Sequence, residues 1–505
     1  MRIADEIRRE AKRQIVRHET RGRLIAEENV RRINRSTAAP VQLVLSRPGR
    51  WSIDDGFNPY LVRARAQRIG HSIRSALSSR QYRPRSPLWF EVAKPRGGSR
   101  LISVYQVADG AVSKMLFEGI LKKNLPLLSA RAYAYRKDVS AQDAIQYVKS
   151  EFRDRTRLFI AEYDFRSYFD NIDHDHVRKI LHDHFLLTSV EMSAIEGFLS
   201  VAACEPAAYV GEGGPRRERG IPQGTSISLL LANVAAWEMD RALEGAGVGF
   251  VRYADDTLLW STDYSRICEA VDHLHSQAES IGVDVNLEKS PGIRILAPEG
   301  SHTEMASTDR VEYLGYELKL DKAGIKPSGI ARIKQRLTSL IYWTLIHEPL
   351  HGTQDWSRLS PNVDRDYVSL LWRIRRYLYG DLSEKAVRRY QRGDTPLRRF
   401  RGVMSAYPLI DDTDDLKALD SWLASQLWLA LRRRSQLLTA SRRVVLPPPH
   451  GLSRTDLLSL STLGLTTGDS IDLRVPSVRR IANIITRAAA LYGPSVVGRA
   501  DPYDY

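Results

Sequence analysis

Tyr253-Ala254-Asp255-Asp256 stands between the apolar runs Val248 to Val251 and Leu258 to Trp260. That pattern reads as two short strands joined by a tight turn that presents adjacent carboxylates. Like charges repel and are costly to desolvate, so such a pair at the tip of a half-buried hairpin calls for a neutralising cation. A divalent metal with oxygen ligands is the natural one, although an Asp-Asp pair can also be an ordinary polar turn. A second apolar, β-prone run, Leu158 to Tyr163, delivers Asp164 at its end. Side by side, the two strands would bring Asp164 and Asp255 near enough to share two ions in a two-metal displacement.

Such sites serve nucleases, phosphatases and polymerases alike, so further segments must name the reaction. Asp164 to His174 resembles motif A of reverse transcriptases, Gly220-Ile221-Pro222-Gln223-Gly224-Thr225-Ser226 resembles motif B, and Tyr253 to Asp256 resembles the YxDD box of motif C. Asn286-Leu287-Glu288-Lys289-Ser290 is similar to motif D, and Tyr313-Leu314-Gly315-Tyr316 to the motif E hairpin. Upstream, Lys94 to Arg100 resembles the fingers hairpin, and Ala132 to Lys137 the block preceding motif A. All seven follow the order of the family.

The resemblance implies roles. Asp164 and Asp255 would hold two Mg²⁺ ions (Mn²⁺ as an alternative), with Asp256 as auxiliary carboxylate and the Phe165 carbonyl as a ligand. Phe169 would be the steric gate against a 2′-hydroxyl, selecting deoxynucleotides; its plainer reading is a core aromatic. Lys94 and Arg100 flank a Gly-Gly turn and would clamp the triphosphate. Gln223 and Gly224 would line the nucleotide pocket, the glycine allowing close backbone approach. Lys289 would protonate leaving pyrophosphate, or else be solvated surface.

The elements that must position these groups imply an α+β chain: a right-hand polymerase of fingers, palm and thumb, with a basic helical extension before it and a helical domain after it. We place the extension at 1–80, fingers and palm at 81–325, thumb at 326–363 and the C-terminal helical domain at 364–505. Helical patterning runs over Ile3 to Ile33, Pro59 to Leu77, Ile330 to Ile346, Tyr367 to Tyr379, Glu384 to Arg392, Asp415 to Arg434 and Ser477 to Tyr492.

The 505 residues carry a formal charge of +15, and residues 1–100 hold 23 Lys and Arg against 9 Asp and Glu. Only Lys12 and Lys94 of those cations are lysines, and an arginine-dominated segment reads as a phosphate-binding surface. Cys204 and Cys268 have no zinc or disulfide spacing, which fits a reducing, cytoplasmic setting. No apolar run reaches the 18 residues of a membrane span, and no signal peptide is visible at the amino terminus.

Absences refine the resemblance. There is no Cys/His cluster for an appended nuclease, and the retron strings NAxxH and VTG do not occur. Ser228-Leu229-Leu230 departs from the Ser-Pro-Leu of intron and retron enzymes. With the C-terminal extension containing Arg375-Arg376-Tyr377-Leu378-Tyr379-Gly380, this resembles the bacterial defence-associated and abortive-infection reverse transcriptases. That implies an antiphage polymerase making DNA from dNTPs, with a noncoding RNA as template or primer and a C-terminal domain that clamps RNA or forms a homo-oligomer. Two alternatives stay open: untemplated synthesis primed on a protein hydroxyl, for which Tyr503 and Tyr505 are candidates, and an RNA-binding scaffold or maturase-like factor.

Overall fold

The computed structural model describes residues 3–35, 42–93, 99–211, 214, 216–380, 382–393, 400–442, 444–464 and 470–498. Lys94, Tyr503 and Tyr505 lie outside the described residues. The arginine-rich start forms α1 (Ile3–Arg35), whose Ile7, Ala11 and Ile15 are buried against α2 (Pro59–Ser78) and α3 (Val107–Asn124). Asn58 caps α2, with Pro59 at its first turn. Between α2 and α3 a two-stranded fingers hairpin pairs β1 (Leu88–Ala93) with β2 (Ser99–Val104), Arg100 opposite Val92.

The palm follows: α4 (Ala141–Phe152), β3 (Leu158–Tyr163), β4 (Phe165–Arg166), α5 (Tyr168–Asn171), α6 (His174–His184), α7 (Ser189–Ser200), α8 (Ser226–Ala235), α9 (Trp237–Gly245), β5 (Gly249–Tyr253), β6 (Asp256–Ser261), α10 (Tyr264–Ile281), β7 (Asp284–Val285), β8 (Gly292–Leu296) and β9 (Ser307–Thr308). Five strands form one sheet in the order β5-β6-β3-β8-β9, antiparallel except for β8 with β9. Because side chains alternate along a strand, β3 faces two layers. Phe159 and Tyr163 meet Tyr264 and His275 of α10, at 5.2 and 5.4 Å between ring centres. On the other face Trp260, opposite Ile160, packs on Tyr147 and Phe152 of α4. A sheet covered on both sides explains why its strands read as unbroken apolar runs.

Three short strands, β10 (Val311–Tyr313), β11 (Tyr316–Leu318) and β12 (Ala323–Ile325), lead into α11 (Pro327–Ile341) of the thumb. The sequence pattern extends this helix to Ile346, but residues Tyr342–Ile346 widen into a π-helical turn before α12 (His347–Leu350). Then come α13 (Arg365–Tyr379), α14 (Glu384–Arg392), α15 (Thr413–Ser441), α16 (Arg454–Ser459), β13 (Thr462–Gly464), β14 (Ser470–Asp472), α17 (Val478–Tyr492) and α18 (Pro494–Val497). Arg434 on α15 is fully buried and donates to the Leu345 carbonyl and to Asp364 and Asp366, tying the C-terminal helices to the thumb. The architecture is α+β, a five-stranded sheet covered by helices on both faces, with helical additions at both ends. Among the described residues no helix is long and apolar enough to cross a membrane.

Candidate active site

Asp255 and Asp256 sit at the tip of the hairpin between β5 and β6, where Tyr253 pairs with Asp256 across a two-residue loop. Such a loop needs left-handed backbone, and Ala254 supplies it at φ 62. A non-glycine residue there is strained and persists only where its surroundings hold it. Arg252 does so. Its Nη1 donates to the Ala254 carbonyl at 3.0 Å and to Asn233 Oδ1 at 3.3 Å, while its Nε and Nη2 form a buried bidentate pair with Asp240 at 2.7 and 2.6 Å. Tyr313 adds a hydroxyl bond to the Asp256 carbonyl at 3.2 Å, so motif E braces motif C from below.

The register of β3 with β6 pairs Tyr163 with Thr257, and one step further sets Asp164 opposite Asp256. Asp164 is held by motif D. Asn286 donates its backbone N–H to the Asp164 carbonyl at 2.8 Å, and Lys289 Nζ lies 3.0 and 3.2 Å from the two carboxylate oxygens. Burial first, and then the charge of Asp164, push the Asp255 carboxyl up to about 6 against Lys289 and Arg252, which lower it. Burial, and then Asp255, Asp164 and Glu162, push Asp256 up to about 8. Lys289 and Arg252 at Asp255, and Lys326 at Asp256, oppose these shifts without cancelling them.

The expected metal ligands were Asp164, Phe165, Asp255 and Asp256. Among the described residues no group of three or more His, Cys, Asp or Glu side chains gathers closely enough to hold an ion. Asp164 is instead paired with the Lys289 ammonium. The donor set fits a hard divalent cation in its chemistry, being all oxygen and anionic. Phe165 is buried, and its backbone pairs with Val285 of β7.

The remaining candidates fall nearby or elsewhere. Phe169, partly buried, meets Tyr135 and Tyr168 edge-on at 6.3 and 5.9 Å, and its carbonyl accepts from Ile221 N at 2.6 Å, which brings motif B onto motif A. The close approach expected of Gly224 is present, but its partner is the fingers: at φ 130, a Cβ there would lie 2.1 Å from the Ser103 carbonyl of β2. Ser103 N in turn donates to the Gln223 carbonyl at 2.6 Å. Arg100 is exposed on β2. Lys289 lies 3.0 Å from Asp164.

Residues 92–318 match the family described as reverse transcriptase (RNA-dependent DNA polymerase). That match covers a little under half of the chain. The putative COX1/OXI3 intron 1 protein of Saccharomyces cerevisiae is 31% identical over 159 residues, covering 30% of this chain and 18% of that protein. Protein YkfC of Escherichia coli is 28% identical over 199 residues, covering 37% of this chain and 49% of that protein. The chain thus spans less than half the length of these curated relatives. Among solved structures, telomerase from Candida albicans in complex with the TWJ fragment of telomeric RNA is 13% identical with a TM-score of 0.37, over 74% of this chain and 65% of that one.

Sequence reasoning about the site missed Arg252, Asp240 and Asn233. The available signal was one charged residue in an otherwise apolar strand immediately before the acidic pair, which in a sheet covered on both faces demands a buried partner.

Proposed function

We propose that this chain is an RNA-directed DNA polymerase of bacterial antiphage defence, which copies an associated noncoding RNA by two-metal transfer of deoxynucleotides. The observation that carries the reading is the β3–β6 register, which sets Asp164 across from a strained turn bearing two acids of raised pKa. Asp164, Asp255, Asp256 and the Phe165 carbonyl would hold the ions, which would neutralise charge on the triphosphate and activate the attacking hydroxyl. Phe169 would press against the 2′ position of the incoming sugar. Arg100 and Lys94 would meet its phosphates, and Gln223 would border its base. The defence role rests on Ser228-Leu229-Leu230 in motif B and on the helical region that follows the thumb.

The test is synthesis by purified protein given dNTPs and Mg²⁺, alongside phage plating of cells that express it. Asp255→Asn with Asp256→Asn should abolish both DNA product and protection. If the variant still protects, the chain acts as a scaffold. Product that stays with protein through phenol and is released by protease would mean priming on a hydroxyl of the chain.

A further inference from the structure

A concave pocket of about 910 Å³ lies between α13, α14 and the β13–β14 hairpin, lined by no palm residue. Its wall on α14 carries Lys385, Arg388, Arg389 and Arg392, all exposed. Their spacing of three and four puts them on one helical face, while Glu384 and Val387 turn inward. Like charges at those spacings destabilise a helix. Among the described residues none of the four has an acidic side chain within ion-pair distance. Arg389 and Arg392 complement the end of the helix dipole, but Lys385 and Arg388 lie in earlier turns and lack that compensation.

The facing wall, α13, presents Trp372, 46% exposed, with the Arg376 guanidinium 5.2 Å from its ring centre. The pocket's own acids are already engaged: Glu384 pairs with Arg480, and Asp472 with Arg375 at 3.3 Å and Arg474 at 3.0 Å. At the floor Arg375 Nε and Arg474 Nη1 are buried with no acceptor. Unsatisfied buried donors beside a row of unneutralised cations call for an anion with several acceptor oxygens. An exposed indole among them adds a surface for a base.

We infer that this pocket is a second nucleic-acid site, which holds a single-stranded segment with one base stacked on Trp372 and the flanking phosphates on Arg376, Lys385, Arg388, Arg389 and Arg392. A duplex would not offer the unstacked base that the tryptophan takes. The site does not depend on catalysis, so it stands even if the palm proves idle.

The test uses the full chain with 12-nucleotide RNA and DNA single strands carrying a photoreactive uridine or thymidine analogue. Cross-links should map to the peptides holding Trp372 and Arg388, and should persist in the Asp255→Asn, Asp256→Asn variant. Arg388→Gln with Arg389→Gln should lower the log-log salt slope of binding by about 1.4 and remove those cross-links. Trp372→Ala should weaken binding roughly tenfold. The RNA and DNA arms show which strand is preferred. Cross-links confined to the palm and thumb, or displacement by inorganic phosphate at the same concentration as by oligonucleotide, would overturn the assignment.

Discussion

Arg252 and Asp240 form a bidentate ion pair in which both side chains are almost fully buried, and the same guanidinium holds the carbonyl of Ala254. The pair therefore joins α9 to the strained turn that carries the two acids. Removing one partner leaves an uncompensated buried charge. Asp240→Asn should cost about 3–5 kcal/mol, read as a lower denaturation midpoint, and any folded fraction should have lost DNA synthesis. A variant with unchanged midpoint and activity would show that the turn holds itself.

Lys289 and Asp164 make a pair of another kind, 3.0 Å apart but with half the lysine exposed. Solvent screening limits its worth to less than about 1 kcal/mol, so Lys289→Met should leave the denaturation midpoint nearly unchanged. The ammonium occupies the carboxylate a metal would need. Its removal should lower the Mg²⁺ concentration for half-maximal synthesis, while kcat falls if the lysine also protonates pyrophosphate. An unchanged metal requirement would mean that the contact gives way without cost.

Gly224 and Ser103 give a backbone test. A Cβ at 2.1 Å from a carbonyl oxygen, at a φ of 130, cannot be relieved by a flexible side chain. Gly224→Ala should cost roughly 2–4 kcal/mol or displace the fingers hairpin, seen as faster amide exchange at Ser103. Retained protection of that amide would refute the contact.

Phe169 separates gate from core. Its ring is partly buried, so Phe169→Ala should lower stability modestly while reducing the preference in kcat/KM for dNTPs over ribonucleotides by about tenfold or more. Equal losses for both nucleotide types would assign it to the core alone.

Period and turn chemistry made the palm legible. Leu158 to Tyr163 and the runs beside Asp255 form the strands their apolar patterns require, and Ser477 and Gly493 bound α17 as cap residues do. Charged residues whose partners are distant in sequence were harder to read. The sequence pattern ends a helix at Arg434, yet α15 continues to Ser441. Arg434 faces inward because Asp364 and Asp366, about seventy residues earlier, neutralise it. Arg252 was hidden in the same way. The acidic residues were legible in type but not in geometry, since the pairing of Asp164 with Lys289 depends on residues more than a hundred positions apart.

Asp364 makes the buried Arg434 cluster pH-sensitive. Burial alone would raise this carboxyl, but the hydrogen bond from His450 at 2.9 Å and the charge of Arg434 outweigh it and hold the pKa at about 2. A carboxyl depressed in the folded state stabilises the fold above its unfolded value of 3.8, and that contribution is lost as pH falls through about 2. The shift is worth about 2 kcal/mol. Between pH 6 and pH 3 the denaturation midpoint of the native chain should therefore fall further than that of Asp364→Asn, which has no proton to gain there. Asp364→Asn should start lower at pH 6, because Arg434 then lies buried with less opposing charge. Parallel pH profiles for the two proteins would show that Asp364 titrates alike in the folded and unfolded chains, and that the cluster contributes no acid sensitivity.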